Sequence, residues 1–143
     1  MLEAQTSLNR TPLHFAAEQG WTGVVELLLE KGALLEAQSH YKHTQLHYAA
    51  YWGNATLVDL LLRSGALFEA KDENNNTPLH LAATQGHTGV VGLLLENGAS
   101  IEAVNINNNT PLRAAEYYGQ ADTVQLIYTY GLGLKGCGGA EEN

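Results

Sequence analysis

The sequence predicts an all-α protein that is built as an array of one repeated helix pair. Thr-Pro-Leu-His stands at residues 11–14 and 77–80, and the variants Thr-Gln-Leu-His and Thr-Pro-Leu-Arg stand at 44–47 and 110–113. The four copies therefore start 33 residues apart, and such a period is the signature of an array of small units. Two series of glycines keep the same step: Gly20, Gly53, Gly86, Gly119 and Gly32, Gly65, Gly98, Gly131.

The first helix of each unit is predicted from its start and stop signals. Thr11 is suited to the N-cap position, because its hydroxyl can accept a hydrogen bond from a free N–H of the first turn. Pro12 follows at the first helical position, where a missing N–H costs nothing. Gly20 ends the helix as C-terminal glycines do. The expected apolar stripe of this helix is Leu13, Phe15, Ala16 and Ala17.

A second helix is predicted from about Thr22 to Lys31, and Gly32 ends it. Eleven residues then lead to the next capping threonine. In the later units they hold runs such as Asn74-Asn75-Asn76, which tolerate a positive φ better than most residues. The expected buried side of the second helix is Val24, Val25, Leu27, Leu28 and Leu29.

These motifs strongly resemble the ankyrin repeat. The matching residues are Thr77-Pro78-Leu79-His80-Leu81-Ala82-Ala83, Gly86-His87, Val90-Val91, Leu93-Leu94-Leu95 and Gly98-Ala99, and the resemblance covers roughly residues 4–134. It implies a solenoid of stacked antiparallel helix pairs, with hairpin-like fingers and a concave face that commonly binds other proteins. The expected organisation is an ankyrin repeat domain at 1–134, with repeats at about 6–38, 39–71, 72–104 and 105–134, and a flexible Gly-rich acidic tail at 135–143.

The two ends of the array differ. Arg113, Glu116 and Thr123 replace His, Ala and an apolar residue in the fourth repeat, which therefore resembles a C-terminal cap with a polar outer face. The helices of the first repeat are as apolar as internal ones. We expect either that the chain belongs to a longer array or that another molecule covers this repeat, with self-association as one possibility.

Composition disfavours several classes of partner. The formal net charge is −8, and the seven Lys and Arg residues are scattered, so binding to nucleic acid or to an anionic membrane is not expected. The single cysteine, Cys137, forms no internal disulfide and has no expected role. The first residues lack the basic and apolar regions of a secretory signal. The expected location is the cytoplasm or the nucleus.

The histidines are interpreted as structural. His14, His47 and His80 step along the stack at about 8–10 Å, so they cannot converge on one metal ion. His40, His43 and His47 are close in sequence, but no Cys, Asp or Glu among them completes a metal site. The resemblance implies a structural motif of capping threonines and hydrogen-bonded histidines: Thr11, His14, Thr44, His47, Thr77, His80 and Thr110.

No catalytic site or cofactor is predicted. Nucleophilic catalysis needs a base beside the nucleophile, and Cys137 has no nearby histidine in the sequence. The glycines at residues 131–136 match the dinucleotide-binding pattern, but a helix precedes them where a strand is required. We interpret that match as chance and the protein as non-catalytic.

The resemblance places partner contacts on the fingers and at the ends of the first helices. Repeats two and four carry bulky side chains there, whereas repeats one and three carry polar ones. Since Trp and Tyr dominate interface hot spots, we expect the concave face to bind a protein or peptide, neutral to basic given the acidic chain. The predicted contact residues are Tyr41, His43, Tyr51, Trp52, Ile106, Tyr117 and Tyr118.

Two alternatives to a natural protein-binding module stay open. An engineered or selected ankyrin binder would also carry aromatic side chains at contact positions, although irregular framework residues such as Gln45 and Gly92 argue against a consensus design. Aromatic side chains could instead stack on a nucleotide or another small ligand. The scarcity of basic residues near Trp52 disfavours that alternative.

Overall fold

The computed structural model describes residues 3–133, and all regular secondary structure in that range is helical. Helices of odd number form an inner layer and helices of even number an outer layer, and each helix packs on the next one of its own layer. The all-α solenoid of ankyrin type is therefore confirmed. The helices are α1 Pro12–Gln19, α2 Thr22–Glu30, α3 Gln45–Trp52, α4 Ala55–Arg63, α5 Pro78–Gln85, α6 Thr88–Glu96, α7 Pro111–Tyr117 and α8 Ala121–Gly131.

Each inner helix begins at its threonine. Thr77 is extended, and its hydroxyl accepts a hydrogen bond from the His80 amide in a capping box. Gly86 ends α5 with a left-handed φ of +75°, and a Cβ there would lie 2.3 Å from Oε1 of Gln120. The left-handed φ thus favours glycine, and a Cβ would also displace the end of the Gln120 side chain. Thr11 and Thr44 cap α1 and α3 in the same way, whereas Thr110 caps α7 through its hydroxyl alone, which accepts from the Arg113 amide.

The capping histidines link consecutive repeats. Nε2 of His14 lies 3.1 Å from the carbonyl oxygen of His43, which is 29 residues further along the chain. The same bond of 2.9 Å joins His47 to Asn76 and His80 to Asn109. Each imidazole ring is buried in the stack. One buried histidine of each of the first three repeats therefore links that repeat to the finger of the next one.

The fingers are tight turns that pair with their neighbours. Asn75 has a φ of +61° at one tip, and Lys42 adopts the same conformation with a φ of +64° although lysine rarely does so. One backbone hydrogen bond joins each tip to the next, such as the 3.1 Å bond from the Glu73 amide to the Tyr41 carbonyl. Glu36 adds a second link, because its carboxylate accepts from the Leu67 amide at 2.9 Å.

The prediction that α2 buries five apolar residues is wrong. Val25 is buried, but Val24 and Leu27 are 44% and 52% exposed. Their counterparts in α4, Leu57 and Leu60, are 0% and 8% exposed because they pack toward the preceding repeat. In α1, Phe15 is likewise exposed, which departs from the predicted stripe. Leu28 and Leu29 are partly buried against the core.

The fourth repeat carries polar residues at its outer face. Arg113 and Glu116 are exposed at the positions where internal repeats bury His80 and Ala83 against the next helix pair. Thr123 does not belong to this outer face, contrary to the expectation. It is 1% exposed and lies 3.1 Å from the Thr88 hydroxyl of repeat three. The predicted tail, including Cys137, lies outside the described residues.

Candidate functional site

A concavity of about 480 Å³ opens on the face formed by the inner helices and fingers. Residues of the first three repeats line it, and apolar surface predominates. The lining residues are Leu8, Arg10, Glu18, Ser39, Tyr41, His43, His47, Tyr48, Tyr51, Trp52, Asp72, Asn74, Asn76 and Leu81. Four of the predicted contact residues, Tyr41, His43, Tyr51 and Trp52, are therefore brought together here.

The finger of repeat two forms one wall. Tyr41 precedes the left-handed Lys42 at the tip, and it is 43% exposed. Its ring centroid lies 6.4 Å from that of His43. The Tyr41 carbonyl accepts a hydrogen bond from the Glu73 amide of the next finger. The backbone that carries this aromatic side chain is therefore held in place.

His43 is hydrogen-bonded to Asp72 of the next finger. Its Nε2 lies 3.1 Å from Oδ2 of Asp72, whose side chain is almost fully buried. Burial raises the pKa of the Asp72 carboxyl, but hydrogen bonds from His43 and from the amides of Asn76 and Asn74 outweigh it, so the pKa is lowered. The carboxylate is therefore ionised and paired, and it orients the His43 ring into the concavity wall.

The end of α3 forms the opposite wall. The rings of Tyr51 and Trp52 meet edge to face with centroids 5.0 Å apart. The Trp52 side chain is 57% exposed, so its indole is not part of the stack. Nε2 of His87 lies 2.9 Å from the Tyr51 carbonyl, which ties this helix end to the third repeat.

Arg10 and Glu18 close the concavity on the side of repeat one. The two side chains form an ion pair, and both are largely buried. The guanidinium lies 5.2 Å from the centroid of Tyr48 and 4.2 Å from that of Phe15, within the range of cation–π attraction. The charges that border the concavity at this end are therefore neutralised within the protein.

The predicted residues of repeat four form a separate patch. Tyr117 and Tyr118 pack edge to face at 5.0 Å, and they are 81% and 59% exposed. Ile106 lies exposed on the fourth finger, where its amide donates to the Asn74 carbonyl at 3.0 Å. None of the three lines the concavity.

Tyr48 and Asp72 are among the residues of this site that sequence reasoning missed. Tyr48 lies one turn before Tyr51 and contacts His43, with ring centroids 5.5 Å apart. Asp72 pairs with His43 across 29 residues. That offset recurs in the bonds of His14 and His47, but it is known only from how the repeats stack, so no sequence signal marked the pair.

His47 lies at the floor of the concavity and is committed to the Thr44 and Asn76 backbones. Burial is the main cause that lowers its pKa to about 4. His40 lies exposed on the finger, with its ring against that of Tyr41. In residues 3–133, no group of three or more His, Cys, Asp or Glu side chains is arranged to hold a metal ion.

No helix among residues 3–133 has the length and apolar character needed to cross a membrane. No curated protein matches the sequence. The family model for ankyrin repeats in three copies matches residues 2–72 and again residues 46–135, which together span nearly the whole chain. The protein belongs to the ankyrin repeat family.

Proposed function

We propose that the protein binds another protein or a peptide through the aromatic concavity lined by Tyr41, Tyr48, Tyr51 and Trp52. Ankyrin repeats are in general protein–protein interaction modules, and the family is typically non-catalytic. The observation that carries the proposal is the exposure of Tyr41, Tyr51 and Trp52 around one depression. Because buried aromatic anchors dominate interface energetics, these side chains are the expected hot spot.

Preorganisation supports this assignment. The α3 backbone is fixed by the bond from His87 to the Tyr51 carbonyl, and the Tyr41 backbone is fixed by the bond from Glu73. The aromatic side chains that we assign to binding therefore extend from an ordered framework. Binding to such a framework costs little ordering entropy, which leaves more of the contact energy as affinity.

The charges around the concavity favour an apolar anchor on the partner. Glu18 is paired with Arg10, and Asp72 is paired with His43. An inserted basic side chain would thus have to compete with Arg10 for the Glu18 carboxylate and with three hydrogen bonds for the Asp72 carboxylate. The chain as a whole carries 15 acidic and seven basic residues, so we propose a partner with an apolar anchor and a neutral to basic surround.

The patch of Ile106, Tyr117 and Tyr118 is proposed as a second contact for the same partner. It lies two repeats further along the inner layer, and both tyrosines extend from the end of α7. A partner that runs along the inner layer would meet polar residues of repeat three, such as Thr84 and Gln85, between the two aromatic groups. Two anchors on one rigid surface would raise affinity more than either anchor alone.

A small-ligand function is the alternative, because about 480 Å³ is within the range of ligand pockets. Stacking of a nucleotide base on Trp52 is its most specific form. Thermal-shift measurements with nucleoside mono-, di- and triphosphates test it. A nucleotide that raises the melting temperature of the chain, but not that of Trp52→Ala, would favour small-ligand binding over protein binding.

A phage-displayed library of peptides, selected on the full chain, tests the protein-binding proposal. We expect selected peptides to lose roughly 30-fold in affinity for Trp52→Ala, which corresponds to the loss of about 2 kcal/mol at a hot spot. Tyr128→Ala is the matched control, because Tyr128 is 56% exposed but lies on the outer helix α8. Its affinity should equal that of the unmodified chain. Peptides that bind Trp52→Ala undiminished would contradict the proposal.

A further inference from the structure

Tyr51 and Trp52 form a right-angled corner at the edge of the aromatic concavity. Their rings meet edge to face, with an interplanar angle of 83° and centroids 5.0 Å apart. The two side chains are 38% and 57% exposed, so part of each ring surface is uncovered. Tyr41 is 43% exposed and lies on the finger that forms the other wall of the same concavity. Aromatic ring surface therefore borders this space from two sides.

The lining of the concavity is aromatic rather than aliphatic. Apart from Leu8 and Leu81, its apolar side chains are tyrosines and a tryptophan. The face of an aromatic ring carries negative charge density and attracts cations, which an aliphatic side chain does not do. One cation already lies against this lining, because the Arg10 guanidinium is 5.2 Å from the ring centroid of Tyr48. The remaining ring surface is suited to a second positively charged group.

The ionised groups around the concavity permit a cation to bind. The carboxylates of Glu18 and Asp72 are part of the lining, where Glu18 balances the charge of Arg10. His47 on the floor is neutral at neutral pH, because burial lowers its pKa to about 4. The chain carries 15 acidic and seven basic residues, so its overall field also favours the approach of a cation.

Both carboxylates are already committed to hydrogen bonds within the protein. Oδ1 of Asp72 accepts from the amides of Asn74 and Asn76 at 2.9 Å, and Oδ2 lies 3.1 Å from Nε2 of His43. The ammonium of an unmodified lysine has three N–H donors, which would lose their water without gaining free acceptors. A trimethylated ammonium has no N–H donor. It keeps the positive charge and needs no acceptor, so it suits this lining better.

We propose that the aromatic concavity binds the trimethylated ammonium of a methylated lysine in a partner protein or peptide, against the rings of Tyr41, Tyr51 and Trp52. This inference rests on the protein-binding function proposed above and specifies the chemistry of the anchor. The methyl groups bury apolar surface, and the charge that they carry interacts with the ring faces. The four-carbon stem of lysine lets the cation enter while the partner backbone stays at the fingers.

A free quaternary amine fits the concavity less well. The volume of about 480 Å³ is in the range of drug-sized ligands, and a molecule as small as choline would leave part of it unfilled. A lysine side chain in a peptide brings its stem and the neighbouring residues to cover the rest. The proposal therefore names a peptide as the ligand and makes choline a competitor in the test.

Peptide libraries that differ in one residue test the proposal. Each has random residues on both sides of a central position, which is trimethyl-lysine, lysine or the uncharged analogue with carbon in place of the nitrogen. Fluorescence anisotropy measures the best trimethyl-lysine peptide and its two counterparts of the same sequence on the full chain. We expect trimethyl-lysine to bind at least about fivefold more tightly than the uncharged analogue, and roughly tenfold more tightly than lysine.

Trp52→Leu is the matched variant, because it keeps an apolar side chain but removes the ring face. It should lose the preference for trimethyl-lysine over the uncharged analogue. Since Trp52 is 57% exposed, the variant should fold, which urea titration checks. Tyr117→Leu is the control outside the concavity, and it should keep the preference of the unmodified chain. A preference that Trp52→Leu retains in full would contradict the proposed site.

The failure of this inference can be told apart from that of the proposed function. If the uncharged analogue or lysine binds as tightly as trimethyl-lysine, the inference is overturned, whereas protein binding through the concavity stands. If no library binds although phage-selected peptides do, again only the inference is overturned, and if neither binds, both proposals are contradicted. Choline that binds as tightly as the best peptide would overturn the inference too, because a small molecule would then be the ligand.

Discussion

The imidazole of His47 joins two repeats, because its Nε2 lies 2.9 Å from the backbone carbonyl of Asn76. Its Nδ1 lies 3.1 Å from the Thr44 amide, which makes Nδ1 an acceptor and Nε2 the donor. The ring is fully buried, and burial lowers its pKa to about 4. The neutral ring thus uses its one donor and its one acceptor within the protein.

Replacement of this ring should destabilise the stack. His47→Leu keeps a similar volume but removes the donor to Asn76 and the acceptor for Thr44. A buried backbone group that loses its partner costs about 1–3 kcal/mol. Two backbone groups lose their partners here, so we expect the free energy of unfolding, measured by urea titration, to fall by at least that amount.

Arg113 offers the matched control. It occupies the position of His47 in repeat four, where it is exposed. Among residues 3–133 it has no acceptor carbonyl 29 residues further on, so the bond that His47 makes to Asn76 has no counterpart here. Arg113→Leu should change the free energy of unfolding by less than about 0.5 kcal/mol, as is usual for surface sites. Equal losses in the two variants would show that the position, rather than the bond to Asn76, determines stability.

Stability should fall between pH 6.5 and 4. Burial lowers the pKa of His14, His47 and His80, so the unfolded chain binds more protons than the folded one in this range. Their contribution is complete above the unfolded pKa of 6.5 and is lost as the pH falls toward the folded values. The maximal slope is about 1.4 kcal/mol per pH unit for each histidine.

Urea titrations at a series of pH values measure this slope. The His47→Leu variant should show a shallower slope than the unmodified chain, because one proton-linked group has been removed. Asp72 acts in the same direction only at the acid end of this window, because its pKa is lowered from 3.8 and its contribution is lost from about pH 5 downward, so the slopes are compared between pH 6.5 and 5. A free energy of unfolding that stays constant from pH 6.5 to 4 would contradict the assignment of neutral rings.

The sequence was sufficient for features that depend on local chemistry. Thr77, Pro78 and Gly86 mark the ends of an inner helix by capping, by a fixed φ and by a left-handed φ, so the helix could be placed without knowledge of its neighbours. The exposure of Val24 could not be predicted in the same way. A valine is buried only where a preceding repeat covers it, and α2 has none among residues 3–133.

The candidate site could be predicted only in part, because some of its contacts depend on neighbouring repeats. Tyr51 and Trp52 could be placed at the end of an inner helix from the repeat pattern alone. The pairing of His43 with Asp72 depends on how two fingers stack, which the pattern of a single repeat does not contain. The separation of the Tyr117 patch from the concavity likewise depends on the distance across repeat three.

Gly92 weakens an outer helix without serving a contact. It lies within α6, and a Cβ there would meet Cδ2 of Leu126 at 3.9 Å, an ordinary van der Waals distance. Gly92→Ala should therefore raise the free energy of unfolding by about 0.5–1 kcal/mol, because it restricts the unfolded chain and adds a contact. Urea titration at neutral pH measures the change.

Gly86→Ala is the opposing control for the same substitution. The left-handed φ of +75° strains any other residue there, and a Cβ would push the Gln120 amide away from the Thr84 carbonyl to which it donates. This variant should be destabilised. A loss of stability in Gly92→Ala as well would contradict the prediction, because it would show that glycine at this position of α6 stabilises the fold despite the space for a Cβ.

Gln45 departs from the proline found at the start of the other inner helices. Its side chain is fully buried between repeats one and two, where Nε2 donates to the Ala37 carbonyl at 3.2 Å. Its Oε1 is buried without a hydrogen-bond partner. A buried acceptor that is unsatisfied destabilises the folded state, so this interface carries a cost that proline would not impose.

Gln45→Pro should stabilise the protein by about 0.5–1 kcal/mol, because proline restricts the unfolded chain at a site that accepts it. Thr44 has a ψ of 176°, which is compatible with a following proline, and the amide at the first helical position has no acceptor within the helix. Gln45→Ala is the matched control, since it removes Oε1 without fixing φ, and it should be less stable than Gln45→Pro in thermal and urea unfolding. A Gln45→Pro variant that is less stable than the unmodified chain would show instead that the bond to Ala37 outweighs both the unsatisfied oxygen and the gain in chain entropy.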